Sequence, residues 1–171
     1  MNGSRRTPVG VVALGALAGA AGTLAMDLVL YVRAKRADGD RTAPFFEWEF
    51  AAKHDWDQIS APGQVGRRVV EGFLQKELDP KWAPLTNNIT HWGYGMLWGV
   101  QYGIVAASFP TRTALLDLLL GPTVWASSYV VLPLAKLYKP IWEYDTQTLA
   151  KDLTAHMVYG VVTAESFRLL A

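Results

Sequence analysis

The side chains best placed to do chemistry are Asp27, His91 and His156. Each lies in an apolar stretch, where an ionisable group is costly unless partnered. "TNNITHWGYG" (86–95) sets Asn87 four residues before His91, and "KDLTAHMVYG" (151–160) sets Asp152 four residues before His156. Aligned on their histidines, the two share [Asn/Asp]-x3-His-x2-Tyr-Gly-x3-[Gly/Ala], which reads as an internal duplication. Residues four apart share a helix face. Asn87, His91, Gly95, Gly99 and Gly103 therefore form one ridge, and Asp152, His156, Gly160 and Ala164 a second. Gly15, Gly19, Thr23 and Asp27 form a third. Small residues at this spacing let membrane helices approach closely, so the polar groups on these ridges are expected to face protein. Asp27 lies roughly 7 Å from the end of its stretch at ~1.5 Å per residue. On that reckoning Asp27, His91 and His156 converge at one level.

Such a cluster admits four kinds of chemistry. It can hold helices in register through buried polar pairs, with no cofactor. It can bind a divalent metal through Asp27, His91 and His156, with Asp152 as a fourth ligand or behind the first three. His91 and His156 can be the axial ligands of a b-type haem. A His–Asp pair can also relay protons, since histidine titrates near neutrality. The sequence has no Gly-rich phosphate loop, no serine elbow and no HExxH, so no enzyme is expected. His54, beside Asp55, reads as a solvated loop residue. Glu165 is expected to pair with Arg168 or Arg112, and Asp117 to mark a span boundary.

The elements that must carry these residues are apolar and long. Four stretches, about 8–32, 86–109, 113–137 and 148–170, each reach the ~20 residues that cross a bilayer. The first is too long for a signal peptide and ends in a basic stop, "RAKR". Gly121-Pro122 and Pro133 predict a kink in the third. The fourth is the most polar, with Lys151, Asp152, His156, Glu165 and Arg168 inside it. The expected fold is an all-α membrane protein over residues 1–171, with four transmembrane helices arranged as two similar hairpins. Between the first two spans lies a loop, 33–85, in which an amphipathic interfacial helix is expected over about 63–78.

That loop holds 18 of the 31 formally charged side chains, evenly split by sign, and the net charge is +1, which argues against nucleic acid as a partner. The chain has no cysteine, so disulfides and zinc–thiolate sites are excluded. Counting Lys and Arg near the span ends places the loops in the cytoplasm and both termini outside. Trp82, Tyr138, Trp142 and Tyr144 fit an aromatic belt on the loop side. The partners this implies are the lipid bilayer and, through small-residue faces such as Ala16 and Ala20 or Ser127, other membrane subunits or a second copy.

With "GTLAMD", "PGQVGRR", "TNNITHWGYG" and "AHMVYG", the chain resembles the YagU-like family of small bacterial inner-membrane proteins. The resemblance extends from about Gly22 to Gly160. It implies an integral protein of the bacterial cytoplasmic membrane and supplies no catalytic residues.

Overall fold

The computed structural model describes residues 7–50, 55–109 and 114–171. His54, Arg5, Arg6 and Arg112 fall outside them. Six helices carry the described chain, with no strand among the described residues: α1 (Pro8–Asp38), α2 (Phe45–Phe50), α3 (Ala61–Leu74), α4 (Ala83–Ser108), α5 (Ala114–Leu134) and α6 (Thr146–Leu170). Short 3-10 turns at Gly39–Arg41, Pro80–Trp82 and Ile141–Glu143 connect them.

Of the four expected spans, α1 and α5 are long and apolar enough to cross a membrane. The other two expectations do not meet that standard. α4 and α6 have the length, at 26 and 25 residues. Their apolar character is diluted by Thr86, Asn87, Asn88, Thr90 and His91 in one, and by Lys151, Asp152, His156, Glu165 and Arg168 in the other. Helix α5 runs through Pro122 and ends one residue beyond Pro133. Of the residues in the two 18-residue apolar windows, in α1 and α5, 33% and 22% are buried within the chain.

The chain divides into two compact units. The first gathers the described residues of Met1–Met26, Gly95–Ser127 and Thr146–Ala171. Its core contains Val11, Ala18, Tyr102, Ala106, Leu120, Val124, Tyr159, Ala164 and Phe167. Glycine sets its helix spacing. A Cβ on Gly15 would lie 2.7 Å from the Gly99 carbonyl oxygen, and one on Gly19 would strike Gly95. Because 15 meets 99 and 19 meets 95, α1 and α4 run antiparallel. Gly121 and Gly160 make the matching approach between α5 and α6. Tyr159 closes this unit from within by donating its hydroxyl to the Gly95 carbonyl, at 2.6 Å. Tyr102 donates to Asp117 across α4 and α5, and Arg168 pairs with Glu165 on α6.

The second unit comprises Asp27–Tyr94 and Ser128–Asp145, leaving aside the undescribed residues. It contains α2, α3 and the parts of α1 and α4 that carry Asp27 and His91. The amphipathic helix occupies Ala61–Leu74 rather than 63–78, ending at Gln75, which takes a left-handed conformation (φ 52°). The face it packs inward is its glycine face. Gly63 abuts Ile59 and Asn87, and Gly66 abuts Thr86 and Thr90 of α4. Val69 and Phe73 are exposed, Phe73 at 85%. Trp56 anchors the loop, donating its indole N–H to the Leu78 carbonyl at 2.9 Å beneath the Arg67 guanidinium.

Candidate functional site

Asp27 is the starting point, because it is a carboxylate with 3% of its surface exposed. Helix α1 carries it beyond the glycine ridge, and α4 brings His91 to it. Nε2 of His91 lies 2.9 Å from Oδ1 and 3.2 Å from Oδ2 of Asp27. A protonated Nε2 donates to the carboxylate there, so the buried charge has a partner.

A third group joins them from the loop. Glu49 sits on α2, and aromatic packing holds that short helix in place. Tyr31 of α1 packs edge-on against Phe45, with centroids 5.4 Å apart, and against Trp48 at 5.5 Å. The Trp92 indole N–H donates to Glu49 Oε1 at 3.1 Å, which fixes the carboxyl group's orientation. One ligand atom each from Asp27, Glu49 and His91 lies within 4.8 Å of the other two. Partial burial, followed by repulsion from Asp27, pushes the Glu49 carboxyl above the usual carboxylate range.

The three groups open into a pocket of about 390 Å³. Its walls include Leu30, Trp48, Ile59, Ser60 and Asn88. Asn87 also borders it, but its side-chain oxygen is engaged. It accepts from the Ser60 hydroxyl and from the Gly63 N–H, the latter at 3.1 Å. Asn87 thus ties the start of α3 to α4 and does not act on His91. Neighbouring Asn88 donates its amide to the Pro84 carbonyl at 2.9 Å, while its Oδ1 is buried without a hydrogen-bond partner.

His156 and Asp152 belong to the first unit, not to the one that holds this group. The Nδ1–H of His156 donates to the Asp152 backbone carbonyl one turn back, at 3.0 Å, and lies 3.4 Å from its carboxylate. Among the described residues, the group whose ligand atoms lie within 4.8 Å of one another is Asp27, Glu49 and His91, with Glu49 in the place expected for His156. The aligned tyrosines differ as well: Tyr159 is 3% exposed and Tyr94 41%. Glu49 carries no helical-ridge signature in the sequence. Its one signal is an acid repeated among aromatics in "FFEWEF".

Among known proteins, no family, curated protein or solved structure matches the chain.

Proposed function

We propose that the protein is a helical membrane protein that binds a small polar ligand or ion in the pocket beside Asp27, Glu49 and His91. The observation that carries this reading is a buried carboxylate bonded to a histidine at the wall of an open cavity. Groups serving only helix register have no need of a cavity beside them, and a buried ionisable pair within apolar helices is a functional-site candidate on physical grounds.

The membrane half of the proposal rests on what the helices leave uncovered. Leu17, Leu24 and Leu28 of α1 are exposed, as are Leu115, Leu118, Val130 and Val131 of α5. α4 adds Ile89, Leu97 and Ile104. Lipid is the solvent that suits helices with so many large apolar side chains exposed. In this reading α1 and α5 cross the bilayer, and α4 and α6 pack beside them. The excess of Lys and Arg on the loops then puts them in the cytoplasm. The resemblance to the YagU-like family points to the same membrane.

Thiol accessibility tests both halves at once, because the native chain has no cysteine. Leu30 lines the pocket, whereas Leu24 is exposed on α1 outside it. In permeabilised membranes a charged maleimide should label Leu30→Cys and leave Leu24→Cys unlabelled, since lipid shields the latter. Labelling of Leu24→Cys would place α1 in water. An unreactive Leu30→Cys would close the pocket.

A further inference from the structure

Two carboxylates and an imidazole crowd the end of the pocket, one ligand atom of each lying within 4.8 Å of the other two. Asp27 accepts from His91. Glu49 accepts from Trp92 through Oε1, yet its carboxyl stands beside another acid. A cation among the three would convert this repulsion into attraction. We propose that the pocket binds a divalent transition-metal ion, Mn2+, Fe2+ or Zn2+, held by Asp27, Glu49 and His91. The inference rests on the reading of the pocket as a ligand site and names what that site takes.

The spacing suits such an ion. Bonds of about 2.0–2.2 Å put neighbouring ligand atoms roughly 2.8–3.6 Å apart in octahedral or tetrahedral coordination. The His91–Asp27 separations of 2.9 and 3.2 Å fall at that edge length. One Glu49 carboxylate oxygen lies within 4.8 Å of the ligand atoms of Asp27 and His91. Trp92 donates to Oε1, the kind of outer support that ligating carboxylates receive. His91 binds through Nε2, which requires the neutral ring with its proton on Nδ1; an imidazolium releases one proton on binding, and a neutral ring only changes tautomer.

The ligand types select the class of ion. With no thiolate in the chain, copper(I) and zinc–sulfur chemistry are unsuited. An imidazole nitrogen favours a first-row transition ion over Mg2+ or Ca2+, which prefer oxygen ligands throughout. Three protein ligands leave positions facing the pocket for water or a second ligand, the arrangement of an open site rather than a closed structural one.

The test uses the full-length protein in detergent, stripped with chelator, with Mn2+ titrated by loss of the free-ion EPR signal and Zn2+ by equilibrium dialysis. One ion per chain is expected, bound more tightly than Mg2+. Glu49→Gln and Asp27→Asn should each weaken binding by about tenfold or more, while His156→Ala should leave it unchanged. Thermal unfolding shows which variants remain folded, and Glu49→Gln decides the matter if Asp27→Asn does not fold. Failure of both ions to bind, or binding that survives Glu49→Gln undiminished, would overturn the metal assignment. If Leu30→Cys is labelled while neither ion binds, the metal inference fails and the pocket reading stands. If Leu30→Cys is unreactive, the pocket reading fails with it.

Discussion

At the scale of single residues, the two histidines of the aligned stretches make different demands. Asp27 has a side chain 4% exposed and depends on His91, whereas the Asp152 side chain beside His156 is 33% exposed. Removing a partner strands a buried polar group at a cost of ~1–3 kcal/mol. His91→Ala should therefore lower thermal stability in detergent by about that amount, and His156→Ala by less. Equal losses would mean that Asp27 finds another partner. The acids outside the helix bundle supply a pH signature of opposite signs. The Leu78 backbone N–H, and then Arg67, hold the Glu71 carboxyl below the usual range. Its contribution to stability is full above the ordinary glutamate value, ~4.5 or a little less, and is lost as pH falls through the lowered one. Glu71→Gln should flatten that acid limb in an unfolding series between about pH 6 and about pH 3. Glu49 runs the other way. Its raised value means that its ionised form opposes folding, so its contribution fades as pH rises through the carboxylate range. In metal-free protein at neutral pH, Glu49→Gln should raise the unfolding temperature; a fall would show that the two acids do not repel.

At the scale of elements, the helices follow from pattern, and their partners follow from glycine. The four-residue ridges are visible in the sequence, and Gly15, Gly19, Gly95 and Gly99 lie where backbones meet. Asp27 and His91 sit at the ends of two such ridges and touch. What periodicity cannot convey is a group delivered by a loop. Glu49 reaches the site because Tyr31, Phe45 and Trp48 pack together and Trp92 supplies a hydrogen bond, all contacts between residues distant in sequence. Nor does periodicity say which face of α3 is packed. Its hydrophobic residues suggest Val65, Val69 and Phe73, yet the buried positions are Gly63 and Gly66. Packing contacts predict a graded response to added methyl groups. Gly19→Ala drives a Cβ into the Gly95 backbone, which has no rotamer to yield. Overpacking of that kind costs ~1–3 kcal/mol. Gly72→Ala on α3 meets open space and should stabilise by ~0.5–1 kcal/mol through helix propensity. Thermal denaturation of the two variants in detergent would check the order, and a harmless Gly19→Ala would argue against the tight α1–α4 contact.

At the scale of the whole molecule, the all-helical class is legible from the four long apolar stretches, and the number of spans is harder to read. Length alone makes four candidates, but polar residues in α4 and α6 leave α1 and α5 as the helices that pass on composition as well. A polar residue inside a long helix has two physical meanings. It can lower the tendency to enter lipid, or it can mark the protein-facing side of a helix that enters because its neighbours do. Sequence hydropathy averages over both. The exposed leucines and isoleucines of α1, α4 and α5 are surface that lipid would cover, whereas Lys151 and Arg168 are exposed on α6. Alkaline carbonate extraction of membranes from cells expressing the chain tests the membrane reading most directly. The protein should remain with the membrane pellet, and its release into the soluble fraction would contradict the account.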